Sequence, residues 1–265
     1  MTADRPYQDL LCTLQTRGDR LVTRNAPVYS VVDYPRLVFT SFPLVTLRRT
    51  AWKKALREME WFLSGDPVCP EVLKDWWAGQ LAPDGEYKAG YGAQWHREGY
   101  DQIESLYTTL RDHPHSRRAI ATTWHSADMA RITEINQNPH TPTTCHGTVL
   151  QGWVRNQQLV LATYQRSADV LLGVPHNWVQ YWALGVWLAT RLGLTMGKLI
   201  WDFGDLHLYD EPSHLQAAQE IQAGPGDRPP LTLVYEGPKD TFVAEHFAIV
   251  GTVGEPVCRL RPKLL

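Results

Sequence analysis

Apolar and polar positions alternate with two different periods along this chain, and the changes of period mark its elements. Residues 6–16 repeat at helical spacing, with Leu10, Leu11 and Leu14 on one face. Residues 21–40 alternate with period two and predict two strands. Thr50 is placed to cap a helix running to about Ser64, whose buried face carries Trp52, Leu56, Met59 and Leu63. Asp101 and Glu104 have capping-box spacing and open a helix that stops before Pro114. Residues 117–124 read as a strand. The runs GTVLQGWV and LVLATYQR flank a polar RNQQ and predict a hairpin centred on Asn156 and Gln157. Residues 177–194 form an almost wholly apolar helix closed by Gly193, which must be buried. A strand over 199–209 and a helix over 212–223 follow.

Many connections are too short for repeated crossovers. The order therefore predicts a mixed sheet with helices packed on it rather than a doubly wound fold. The polar stretches 82–90 and 136–144 read as loops inside one domain spanning 1–265, since no repeat, low-complexity tract or linker divides the chain.

Composition narrows the function classes. With 43% apolar residues in 265, the chain can build a sizeable core. Twenty-six basic against 28 acidic residues give no global attraction to nucleic acid or to an anionic membrane. The four cysteines form no CxxC pair, so neither a disulfide framework nor a zinc knuckle is expected. MTADRPYQDLL has no signal-like apolar segment, which predicts a cytoplasmic protein. Eleven tryptophans suit a core, and also a site that holds flat rings.

The chemistry centres on Cys145. The hairpin register brings it opposite residues 166–168, so Arg166 can favour the nucleophilic thiolate or anchor an anion; a surface salt bridge is the plainer role for that arginine. His146 points to the opposite strand face and is poorly placed as a catalytic base. Asp205, His207 and Tyr209 share one face of an extended segment and suit sugar hydroxyls, although a solvated edge would show the same pattern. Glu58 lies at the margin of an apolar helical face, where burial would raise its pKa into a range useful for proton transfer. Arg117 and Arg118 form either a phosphate clamp or an ordinary polar patch.

Taken together, SFPLVTLRR (41–49), REMEWFLSGD (57–66), GYGAQWHR (90–97), SRRAIATTW (116–124), TCHG (144–147), YQRSADVLLGVPHN (164–177) and GDLHLY (204–209) resemble, in order and spacing, the thymidylate synthase family, which includes the pyrimidine nucleotide hydroxymethylases. The resemblance spans nearly the whole chain. It implies an α/β fold of the α+β type: one thymidylate-synthase-like domain with a large mixed sheet covered by helices, dimerising sheet to sheet.

The resemblance also implies roles. Cys145 is the nucleophile that adds to carbon 6 of the pyrimidine. Glu58 manages protons through water, and Tyr91 stands near the proton lost from carbon 5. Arg166 and Ser167 hold phosphate, with Arg117 and Arg118 donated across the dimer interface. A further phosphate arginine is Arg20 or Arg24, the Thr-Arg-Asn setting favouring Arg24. His207 and Tyr209 bind the deoxyribose hydroxyl, while Asp169 and Trp77 belong to the folate site. Methylenetetrahydrofolate is the implied one-carbon donor, and no metal is expected. Asn177 implies dUMP, because an amide donates to the uracil carbonyl and accepts from its ring N–H.

The family's W-D-E-W-A segment appears as Lys74-Asp-Trp-Trp-Ala78, leaving Lys74 or Trp76 to line the folate site. Thr144 stands for the usual proline and His176 for the usual phenylalanine. These polar changes predict that water, rather than hydride, reaches the exocyclic carbon, giving a dUMP hydroxymethylase. Thymidylate synthesis is the alternative; a non-catalytic nucleic-acid-binding protein and a cysteine hydrolase are remoter ones. A hydroxymethylase would suit a bacterial or phage-infected cytoplasm in which DNA carries modified thymine.

Overall fold

A run as apolar as 174–192 has no polar face to turn to water, so it belongs in the middle of the fold. The computed structural model, which describes residues 2–23, 25–79, 81–87, 90–125, 149–226 and 228–259, puts it there. The chain begins with helix α1 (Asp4–Arg17) and strands β1 (Asp19–Val22), β2 (Pro27–Val31) and β3 (Leu37–Phe39). Helix α2 (Trp52–Ser64), the short turns α3 (Lys74–Trp77) and α4 (Tyr91–Trp95), and helix α5 (Gln102–Asp112) follow. Strands β4 (Ile120–Thr122), β5 (Val149–Arg155) and β6 (Gln158–Asp169) lead to helix α6 (Val174–Leu192). Strand β7 (Thr195–Tyr209), helix α7 (Pro212–Gln222) and a ribbon of β8 (Thr232–Tyr235) with β9 (Phe247–Val250) complete it.

Among the described residues, seven strands make one sheet in the order β1-β2-β7-β6-β5-β4, with β3 also paired to β7. Neighbours are antiparallel except β6 and β7, which run parallel because α6 returns the chain between them. This is the expected mixed sheet covered by helices. Leu150, Leu161, Thr163, Leu199 and Trp201 lie on the covered face. On the opposite face, Val38, Ile120, Val149 and Tyr164 are 38–46% exposed, and their register partners put all four on that one side.

Local chemistry explains the boundaries. Asn156 and Gln157 have φ of 50° and 61°, the pair of left-handed residues that a two-residue hairpin turn requires. Gly193 closes α6 at φ 69°, its N–H reaching the carbonyls of Ala189 and Thr190. Asp101 caps α5 by accepting from Ile103 and Glu104 N–H at 2.9 Å. Glu104 does not close the box; it takes a bond from Arg191 at 2.8 Å. Thr50 does not cap α2 either, because its hydroxyl donates to the Val45 carbonyl at 2.8 Å. The strand expected over 117–124 contracts to three residues, and 21–40 carries parts of three strands rather than two. Proline at the first turn lets α6 start three residues earlier than its apolar run suggested. No helix among the described residues is long and apolar enough to cross a membrane.

Candidate active site

In α2 the buried positions are Ala55, Leu56, Glu58, Met59, Trp61 and Phe62, so a carboxylate sits inside the helix's apolar stripe. Glu58 is 6% exposed. One carboxylate oxygen, Oε1, accepts from the Trp77 indole at 2.5 Å, and Oε2 accepts from the Gln180 amide at 2.5 Å. Burial pushes its pKa up to about 7, against the opposing pull of those two hydrogen bonds and of Lys54. Gln180 in turn accepts from Asn177 Nδ2 at 3.1 Å. Asn177 Oδ1 accepts from Gln165 Nε2 at 3.0 Å, and Gln165 Oε1 accepts from the Trp201 indole at 3.1 Å. A continuous polar chain therefore runs from β7 through β6 and α6 to α2 and α3. Asn177 keeps one N–H and one oxygen lone pair uncommitted within it, a donor and an acceptor side by side.

A second cluster lies where β6 and β7 end together. Ser167 is paired with Asp205 and Asp169 with His207. Asp205 accepts from Ser30 Oγ and from His207 Nδ1, each at 2.9 Å, and the His207 ring holds its carboxyl below the usual carboxylate range. The Tyr209 ring lies beside the His207 ring at 5.5 Å. The Arg166 guanidinium lies over the Trp124 ring at 5.1 Å. Asp169 accepts Leu171 and Leu172 N–H through Oδ1 at 2.8 and 2.9 Å, shaping the turn into α6. Its second oxygen takes no hydrogen bond among the described residues.

Other expected site residues fall in several places. Cys145, Thr144 and Arg24 lie outside the described residues. Arg20 donates to Asp210 at 2.7 Å, so that guanidinium is already paired with a carboxylate. Arg117 and Arg118 are exposed just before β4, and neither meets a carboxylate among the described residues. Tyr91 is buried against Phe62 and Trp77.

The folate-side expectations divide. Trp77 is buried among Trp61, Phe62, Tyr87 and Tyr91, with its N–H committed to Glu58. Trp76 is the indole that stands partly open, 4.8 Å from the His176 ring and under the Lys54 ammonium. Lys74 gives its ammonium to Glu71 at 2.6 Å. Both ring nitrogens of His176 are engaged: Nδ1 donates to the Leu172 carbonyl at 2.8 Å, and Nε2 accepts from Ala51 N–H at 3.3 Å. Burial and the nearby Arg48 push its pKa down to about 4, so the ring stays neutral and has no nitrogen left to hold a water.

Gln165 and Gln180 were missed as site residues. For Gln180 the signal was present: a glutamine inside a run as apolar as 174–192 must find buried partners.

The fold thus joins a buried carboxyl of raised pKa on α2 to a mixed sheet whose two parallel strands end in a cluster of polar side chains. A family model described as Thymidylate synthase matches residues 5–257. A thymidylate synthase of Corynebacterium aurimucosum is 30% identical over 97% of this chain and 96% of its own length. Thymidylate synthases of two Cereibacter sphaeroides strains are 30% and 31% identical, covering 96% and 94% of each chain. The chain belongs to the thymidylate synthase family. It is a folate-dependent one-carbon transferase, with methylenetetrahydrofolate as the one-carbon donor.

Proposed function

We propose that the protein hydroxymethylates carbon 5 of dUMP: dUMP, methylenetetrahydrofolate and water give 5-hydroxymethyl-dUMP and tetrahydrofolate. The observation that carries this reading is Glu58, a buried carboxyl with a pKa near 7 held at both oxygens, able to take a proton from water and return it. Lys74 adds support, because its ammonium turns to Glu71 and this position offers no apolar cover against water.

Cys145 adds as thiolate to carbon 6 and leaves at the end, so carbon 5 becomes nucleophilic in between. Arg166 and Ser167 bind the phosphate, His207 and Tyr209 the sugar hydroxyl. Asn177 offers its remaining N–H and lone pair to the uracil carbonyl and ring N–H. Tyr91 stands by for the proton leaving carbon 5. Methylenetetrahydrofolate, when bound, supplies the one-carbon unit, and the second Asp169 oxygen and the Trp76 ring are the groups offered to it. Glu58 takes the proton of the water that adds to the exocyclic carbon.

Arg117 and Arg118 reach the phosphate of a second copy, which docks on the uncovered sheet face bearing Val38, Ile120, Val149 and Tyr164. Thymidylate synthesis is the second reading, favoured by the relatives' names and by Trp76, whose ring could shield the same carbon. Mass spectrometry of the nucleotide after incubation with dUMP and methylenetetrahydrofolate separates the two. Gain of CH2O without dihydrofolate absorbance supports hydroxymethylation; gain of CH2 with stoichiometric dihydrofolate overturns it.

A further inference from the structure

An indole N–H can donate but never accept. The polar chain described above has an indole at each end, Trp201 at one and Trp77 at the other. Trp201 therefore requires the oxygen of Gln165 to face it. Both N–H groups of Gln165 are then spent, on Asn177 Oδ1 at 3.0 Å and on the Ser167 carbonyl at 3.2 Å. Asn177 is thereby turned with its nitrogen toward Gln180, whose oxygen accepts at 3.1 Å. Gln180 is 0% exposed and spends both of its N–H groups, on Glu58 and on the Ala55 carbonyl at 3.3 Å. Inverting any one of these amides would set donor against donor in a buried place, which costs more than a lost hydrogen bond.

We propose that Gln180 is a positioning and specificity residue that locks the Asn177 amide in the orientation that reads uracil, and grips Glu58 through the same side chain. Base recognition and proton handling then hang on one buried amide. A loosened Asn177 could present either edge of its amide to the base and would lose its preference for uracil over cytosine. The inference deepens the dUMP reading and rests on it for the identity of the base.

Two variants test the lock. Gln180→Met keeps the side-chain length and removes both bonds; Trp201→Phe removes the donor that sets the chain's direction. In the ligand-free protein, the Glu58 carboxyl is titrated by 13C NMR. Lys54 on α2, Cys69 before α3 and Trp77 on α3 still face it in both variants. The Gln180 bond favours the ionised form, so its loss in Gln180→Met moves the midpoint up by about one pH unit or more. Trp201→Phe leaves that midpoint where it is. Calorimetric binding of dUMP and of dCMP gives the second readout: the preference for dUMP falls about tenfold in Gln180→Met and by less in Trp201→Phe, where Gln180 still holds the Asn177 nitrogen.

The proposal is overturned by a folded Gln180→Met protein that keeps both the wild-type midpoint and the wild-type preference. If Gln180→Met does not fold, an unchanged preference in a folded Gln180→Leu protein overturns it instead. Should the wild-type protein bind neither nucleotide, the dUMP reading fails, while the ligand-free titration still decides whether Gln180 grips Glu58.

Discussion

Replacing Glu58 with Gln should change how stability depends on pH, by an amount set by the burial of that carboxyl. In the unfolded chain the group titrates at its ordinary 4.5, and in the fold at about 7. Between these values the unfolded chain has released a proton that the folded protein still holds, so wild-type stability falls as pH rises through this window. Below 4.5 both states are protonated; above 7 both are ionised and the whole difference has been lost. The interval converts, at about 1.4 kcal/mol per pH unit, to about 3 kcal/mol. Glu58→Gln cannot titrate. Its amide faces two donors, from Trp77 and Gln180, and the resulting mismatch is an offset that does not vary with pH. Every other group is common to the two proteins and cancels in their difference. Urea unfolding of both proteins at fixed concentration, at pH 4.5, 6 and 8, should therefore show the variant gaining about 3 kcal/mol on the wild type across the series. A difference that stays flat to within about 0.5 kcal/mol would refute both the raised pKa and the role built on it.

Lys74→Trp restores an indole at the first position of the W-D-E-W-A segment and should raise the share of dTMP and dihydrofolate in the products; an unchanged ratio would count against Lys74 as the opening to water. Gly173→Ala places a methyl 3.2 Å from Asn177 Oδ1 and 3.3 Å from the Asp169 carbonyl. It should lower kcat/KM for dUMP about tenfold through a displaced amide, with little change in thermal stability. Arg117→Ala and Cys145→Ser should each be inactive alone, yet mixing them after co-refolding should recover about a quarter of wild-type activity, because half the dimers are mixed and each holds one intact site. No recovery would mean that Arg117 serves its own subunit.

How far the sequence could be read depended on what each signal encodes. The hairpin at Asn156 and Gln157 and the buried helix closed by Gly193 were legible because they rest on local rules of turn conformation and periodicity. Glu58 was legible because a carboxylate at the edge of an apolar face is conspicuous. The division of labour among Lys74, Trp76 and Trp77 was not. They share a single helical turn, where spacing alone does not say which ring faces inward, and only packing against Trp61, Phe62 and Tyr87 selects Trp77. His176 looked like a polar intrusion into an apolar wall. Its partners, the Leu172 carbonyl and Ala51 N–H, come from backbone that residue types do not reveal. Thr50 has the right chemistry for a cap, but the Val45 carbonyl claims its hydroxyl.

The proposed site collects at one end of the sheet because of the parallel pairing of β6 and β7. The α6 crossover turns the carboxyl ends of both strands the same way, so residues 166–169 and 205–209 stand side by side. Since Val149 pairs with Tyr164, β5 starts at that same end. Helix α6 begins just beyond, and Asn177 sits within its first turn. The layer that stabilises the sheet also aims the site, since Gln165 and Trp201 share the covered face with Leu161 and Leu199. Truncating a ring such as Trp201 to alanine should cost about 3–5 kcal/mol of stability, and it also frees the first link of the chain that orients Asn177. On the proposed reading, stability and base recognition are coupled through the same buried side chains. Core substitutions under β6 and β7 should therefore alter substrate preference, whereas equally destabilising ones in α1, at Leu10 or Leu14, should not.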